Sequence, residues 1–113
     1  MSFEISMNRV FKAPDFDKYA NKLLSKADFK ELNKFIVHLK NNSDIGKPLG
    51  YDFLREKKIG SKRVYFLVYE DICLILLVAT SNKKTQQGTI DNIKLYLNEY
   101  KEYAYQIYTN IKK

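Results

Sequence analysis

The stretch Lys62-Arg63-Val64-Tyr65-Phe66-Leu67-Val68-Tyr69, followed by Glu70-Asp71 and then Ile72-Cys73-Leu74-Ile75-Leu76-Leu77-Val78-Ala79, decides how the rest of the chain is read. Residues 63–69 alternate, with Val64, Phe66 and Val68 set against Arg63, Tyr65, Leu67 and Tyr69, the two-residue period of a strand. Residues 72–79 are apolar at every position and include Ile and Val, so neither face of that segment can be left to water. They predict a central strand covered on both sides, reached through a tight Glu70-Asp71 connection. Ahead of this pair, Phe53 to Ile59 reads as a short, heavily charged strand that Gly60-Ser61 turns back on itself.

Outward from this core, residues 3–11 alternate, with Phe3, Ile5 and Met7 opposite Glu4, Ser6 and Asn8, and predict an opening strand. After Pro14-Asp15, the apolar residues Phe16, Tyr19, Ala20, Leu23 and Leu24 fall at the spacing of one helical stripe. Ser25 and Asp28 have the form of a capping box, and Phe29, Leu32, Phe35, Ile36 and Leu39 continue at helical spacing. Two antiparallel helices and one kinked helix both satisfy that pattern. Turn formers occupy residues 41–50, and a polar loop at 81–85 leads into Ile90, Ile93, Leu97, Tyr100, Ala104 and Ile107, a long amphipathic C-terminal helix. The expectation is a single α+β domain over residues 1–113. It has an antiparallel sheet of about four strands, an N-terminal helix or helical hairpin and the long terminal helix, with the helices packed on one face.

Composition narrows the function. Twenty Lys and Arg against thirteen Asp and Glu give a formal charge of +7. The excess concentrates in residues 55–84, which hold seven basic and three acidic side chains. Such clustering points to a polyanionic partner, nucleic acid first. One cysteine, Cys73, excludes an internal disulfide, and one histidine, His38, leaves no ordinary zinc constellation. The longest apolar run, residues 72–79, is far short of the roughly 20 residues that a membrane-spanning helix needs. Together with an N-terminus unlike a secretion signal, this gives a cytoplasmic expectation. No phosphate-cradling glycine loop and no nucleophile-elbow pattern occurs.

The candidate chemistry is cationic and aromatic. Arg63 and Tyr65, two apart on one strand, leave the same face of the sheet, and Arg55 and Lys57 do likewise on the preceding strand. Lys83 and Lys84 follow directly after the central strand. A concavity built from these groups would grip a phosphodiester and offer a ring to a base. Cys73, inside an apolar run, reads as a small hydrophobe, and His38 as a surface or boundary residue.

The order and spacing of Lys62 to Tyr69, Ile72 to Ala79, then Lys83-Lys84-Thr85-Gln86 and a helix, resemble the RelE/ParE toxin superfamily, its RelE and HigB-like branches in particular. Pro48-Leu49-Gly50 through Glu56-Lys57-Lys58-Ile59 is similar to the segment that precedes the arginine strand there. The resemblance covers residues 47–95. It implies a toxin neutralised by a cognate antitoxin, acting as a metal-free and cofactor-free endonuclease on messenger RNA, free or on the ribosome. In that chemistry the substrate's own 2′-hydroxyl attacks the adjacent phosphorus.

Carried over by position, Arg63 would contact the scissile phosphate, and Lys84, or Lys83 in the neighbouring register, would offset transition-state charge. Arg55 and Lys57, or Lys58 in an alternative alignment, and Lys62 would hold RNA. Where the family places a tyrosine shortly after the basic loop, this chain has the region of Ile90. Tyr65, Tyr69 or Tyr96 would have to substitute. Two other readings stand beside the nuclease: a ParE-like gyrase poison, and a catalytically silent RNA- or protein-binding module of the same fold. Tyr96, Tyr100, Tyr103, Tyr105 and Tyr108 wrap more than one face of the terminal helix, which suits an antitoxin segment or a second copy of the chain as well as it suits solvent.

Overall fold

The computed structural model describes residues 7–41 and 46–112. In chain order these form β1 (Arg9–Lys12), α1 (Phe16–Leu23), α2 (Lys26–Asn41), β2 (Lys47–Pro48), β3 (Leu54–Ile59), β4 (Lys62–Tyr69), β5 (Leu74–Asn82), α3 (Gln86–Leu95) and α4 (Leu97–Lys112). The sheet has five strands in the order β1-β5-β4-β3-β2, one more than expected because the two-residue β2 adds an edge. β2, β3, β4 and β5 pair antiparallel, whereas β1 runs parallel to β5 from Arg9↔Leu74 to Lys12↔Leu77. The expected opening strand is therefore realised over residues 9–12; Phe3, Ile5 and the other positions up to Ser6 lie outside the described residues.

Helices cover both faces of this sheet, not one. On the first face, Phe16 and Ala20 of α1 and Leu32, Phe35 and Leu39 of α2 pack against Val64, Phe66, Val68, Ile75 and Leu77. On the second, Ile90 and Ile93 of α3 and Ala104 of α4 pack against Leu54, Tyr65, Leu67, Leu74, Leu76 and Val78. The reason lies in β5: its stretch Leu74 to Ala79 is apolar at every position and needs cover above and below, and a single helical layer would leave half of it in water.

The N-terminal helices are two, separated by the expected capping box. The Ser25 backbone N–H donates to Asp28 Oδ2 at 3.0 Å, and the Asp28 N–H donates to Ser25 Oγ at 3.1 Å. Lys62 Nζ joins the same Asp28 oxygen at 3.0 Å and so ties α2 to the start of β4. The bond from the Ser25 backbone N–H, followed by the one from Lys62, holds the Asp28 carboxyl below its ordinary range. At the other end of the molecule the terminal helix is also two, α3 and α4, meeting at Tyr96. α4 is shallowly seated. Ala104 is its one fully buried residue, while Leu97, Tyr100, Tyr103, Ile107 and Tyr108 pack part-buried against the second core.

Between β4 and β5, Glu70–Ile72 forms a 3-10 turn and Cys73 takes a left-handed conformation, φ 49°. The strand thus begins at Leu74, and Cys73 sits half-buried in the turn rather than within it. β5 in turn extends beyond Ala79 to Asn82. Its pairing with β4 steps from Phe66↔Leu77 to Tyr65↔Ala79, making Val78 an extra residue, a bulge. Without that residue Thr80 would stand opposite Arg63; with it, Ser81 does. Among the described residues, no helix is long and apolar enough to cross a membrane.

Candidate functional site

The two-residue turn at Gly60-Ser61 pairs Ile59 with Lys62, and the register then places Lys58 opposite Arg63, Lys57 opposite Val64, Glu56 opposite Tyr65 and Arg55 opposite Phe66. Directly paired residues share a face. Lys58, Arg63, Glu56 and Tyr65 therefore lie on the α3/α4 side. Arg55, Lys57 and Lys62 lie on the α1/α2 side, where Lys57 Nζ stands 5.4 Å from the centre of the Phe35 ring and Lys62 binds Asp28. The expected concavity, with Arg55 and Lys57 alongside Arg63 and Tyr65, is thus divided between two faces. A spacing of two keeps residues together on one strand, but the turn decides which set meets which on the next.

What the α3/α4 face does assemble is a polar cluster around a buried acid. Glu56 and Arg63 are 5% and 8% exposed, and Arg63 Nε lies 3.2 Å from Glu56 Oε1. Gln86, the first residue of α3, donates from Nε2 to that same oxygen at 2.8 Å. Arg63 Nε makes an ion pair without an aligned hydrogen bond, and among the described residues it is the one buried side-chain nitrogen or oxygen left in that condition. Tyr65, with no exposed surface, shares a hydrogen bond of 2.8 Å with Ser81 Oγ. Burial first, and then the Glu56 charge, push its phenol up, against the Ser81 bond that pulls it down. The Tyr65 hydroxyl is thereby sealed in the core, and it does not reach solvent where the sequence reading needed a proton-transfer group. Tyr69, the next candidate on that strand, is half-buried beside Tyr105 and Tyr100, and burial pushes its phenol far above the ordinary range.

The basic loop follows Ser81 directly. Thr85 N–H donates to Asn82 Oδ1 at 2.9 Å, and Asn82 N–H donates to Thr85 Oγ1 at 3.3 Å, a reciprocal clasp that presents Lys83 and Lys84 between β5 and α3. Both lysines are exposed. Lys84 borders a groove of about 1210 Å³ that runs between α1, the end of β5 and the two C-terminal helices, with Ser81, Thr85 and Tyr96 also on its wall. The loop and Arg63 thus meet at the Ser81 end of the sheet.

Two residues of this cluster were absent from the sequence reading as functional groups. Glu56 was readable in principle, since the two-residue turn alone sets it opposite Tyr65. Gln86 was not, because the distance from α3 to β3 is a tertiary fact. Among the described residues no group of three or more His, Cys, Asp or Glu side chains is placed to hold a metal ion.

No protein-family model matches the chain, and no curated protein matches it. Solved structures do. The Escherichia coli toxin RelE, an arginine-substituted mutant in the free state, superposes with a TM-score of 0.65 at 15% identity, over 78% of this chain and 96% of that one. The RelE–RelB complex of Pyrococcus horikoshii gives 0.57 at 21% identity, over 68% and 96%. The antitoxin–toxin complex RelB–RelE of Methanococcus jannaschii gives 0.55 at 19%, over 70% and 96%. The chain has the RelE-like toxin fold.

Proposed function

We propose that this chain is the toxin of a toxin–antitoxin pair and an RNA endonuclease that works without metal or cofactor. The fold supports the first part, and two of the similar structures are complexes of a RelE with a RelB; a cognate antitoxin is the corresponding partner here. The second part rests on one observation: a buried carboxylate, Glu56, held against an incompletely bonded arginine, Arg63, next to a loop with two free-standing lysines.

The chemistry follows from that pairing. A phosphodiester arriving at Arg63 offers its guanidinium two oxygens in place of a single misaligned one. Drawing Arg63 onto the phosphate releases Glu56 from its ion pair, and the carboxylate takes the proton of the substrate's 2′-hydroxyl. The 2′-oxygen then bonds to phosphorus and the bond from phosphorus to the 5′-oxygen breaks, leaving a 2′,3′-cyclic phosphate. The departing oxygen takes its proton from the Lys84 ammonium, while Lys83, Lys58 and Arg63 offset the charge on the phosphorane. Tyr65 holds Ser81 and the end of β5 in place. Lys57 and Lys62, on the other face, would meet RNA only as outlying contacts. A homodimer through the terminal helix has Tyr96 to build on, since Tyr100, Tyr103, Tyr105 and Tyr108 are part-buried on this chain's own surface.

The test is induced expression followed by mapping of RNA ends. Discrete messenger cleavages, lost with Arg63→Ala, Lys84→Ala and Glu56→Gln, are expected. Intact messages with accumulating DNA breaks would replace the nuclease by a gyrase poison. The sealing of Tyr65 favours one further reading, a silent module, which would bind RNA and leave messages and growth untouched.

A further inference from the structure

Away from the Glu56–Arg63 cluster, the loop between β2 and β3 carries two aromatic rings that the core does not use. Tyr51 and Phe53 stack with ring centroids 4.9 Å apart and planes 23° off parallel, and they are 44% and 38% exposed. Gly50, at φ 89°, makes the turn that presents them, and Lys94 Nζ of α3 stands 5.7 Å from the centre of the Tyr51 ring. Phe53 also borders a cavity of about 700 Å³ whose wall includes Arg55, Lys101, Asp52 and Asn98.

We propose that this platform is a base-binding subsite for the single-stranded RNA that the Glu56–Arg63 site acts on, taking an unpaired base that carries an exocyclic amino group; the inference rests on the RNA reading of that site. Three features select this ligand. A stacked, exposed ring pair edged by cations is what an unpaired base recognises, through its π-face and its flanking phosphates. The cavity wall also bears Asp52, Glu70 and Asp71. These acids would repel a bare phosphate or an acidic peptide, yet carboxylates accept hydrogen bonds from the amino groups of adenine, cytosine or guanine. Phe53 directly precedes β3, the strand that carries Glu56, and α3 reaches both places, with Lys94 over the Tyr51 ring and Gln86 on Glu56, so one RNA strand running along α3 reaches both.

The measurement is fluorescence anisotropy of the full chain with a short 2′-O-methylated single-stranded RNA, which cannot be cleaved because its attacking hydroxyl is blocked. The Tyr51→Ala/Phe53→Ala double variant is expected to bind about tenfold more weakly, the loss of roughly one base–aromatic stack. An all-uridine strand is expected to bind wild type more weakly than a mixed one. A 2-aminopurine probe should be quenched by wild type and not by the variant. Because alanine at Phe53 could loosen the loop, Phe53→Trp and Phe53→Leu serve as the control pair: tryptophan should retain binding and quenching, leucine should not. Equal binding by wild type and the double variant, or by the tryptophan and leucine variants, overturns the subsite while leaving the endonuclease reading in place. Wild type that binds no RNA overturns both.

Discussion

Truncating Glu56 tests whether the acid–arginine contact is the structural and chemical centre of the α3/α4 face. The two side chains are 4% and 10% exposed and 3.2 Å apart. Removing one member of a buried pair leaves the other charge without compensation, which costs about 3–5 kcal/mol. Gln86 Nε2 loses its 2.8 Å acceptor as well, although it sits nearer solvent and can find water. Glu56→Ala is therefore expected to lose about 4 kcal/mol, a large share of the roughly 5–15 kcal/mol that domains of this size possess. At about 4 °C or more per kcal/mol, the thermal midpoint falls by on the order of 15 °C.

Urea denaturation followed by far-ultraviolet circular dichroism reads this directly. Three further proteins, Arg63→Met, Glu56→Leu and the double variant, complete a thermodynamic cycle. The double variant should recover much of the loss, because an apolar pair of similar volume leaves no charge stranded. A coupling of at least about 2 kcal/mol is expected. The reasoning is wrong if Glu56→Ala loses less than about 1 kcal/mol, or if the two single losses simply add.

Other consequences can be checked in the same way. Tyr65→Phe deletes the partner of Ser81 Oγ inside the core and should lower stability by about 1 kcal/mol in urea while RNA-end mapping still shows cleavage; abolished cleavage with intact stability would restore Tyr65 as a proton-transfer group. The Asp28 carboxyl is held below its ordinary range in the fold, so its contribution is complete above the unfolded value near 4 and is lost as pH falls through the lower folded value. Asp28→Asn should therefore lower the melting midpoint at pH 7 and flatten its decline between about pH 5 and 2; parallel declines for the two proteins would refute that linkage. Gly46, at φ 94°, would carry a Cβ 2.8 Å from Phe66 Cζ and 3.1 Å from the Glu56 carbonyl oxygen. Gly46→Ala should cost about 2–3 kcal/mol from left-handed strain and the clash, measured as a lowered urea midpoint, and an unchanged midpoint would mean that this approach relaxes freely.

The elements and their order along the chain were legible because apolar periodicity is a local property that burial enforces, whereas the parallel docking of β1 beside β5 is a tertiary fact. Residues 72–79, apolar throughout, announced a central strand, and the same fact implied helices on both sides, a conclusion stronger than the single layer drawn from element order. The faces of β3 were legible too, but only through the turn. Gly60-Ser61 as a two-residue loop makes 59 meet 62, and every later pair follows, bringing Glu56 rather than Arg55 or Lys57 to Tyr65. Other features left no mark. The bulge at Val78 interrupts no pattern, since valine suits either parity, yet it brings Ser81 rather than Thr80 opposite Arg63. The break at Tyr96 contains neither glycine nor proline, and the spacing of Ile90, Ile93, Leu97, Tyr100 and Ala104 passes across it unchanged.

The placement of Glu56 also changes how the chain's basic excess acts. Of the cations in residues 55–84, Arg63 is neutralised by Glu56 and Lys62 by Asp28, and Lys57 is set over an aromatic ring of the first core. Among these, the exposed cations left on the α3/α4 face are Lys58, Lys83 and Lys84, suited to drawing in a polyanion. Arg63 contributes little at a distance. In the proposed endonuclease, a phosphate close enough to displace the carboxylate would release the Arg63 charge and Glu56 together. A cluster that reads in the sequence as a uniform basic patch is thus a lysine rim around an acid–arginine centre.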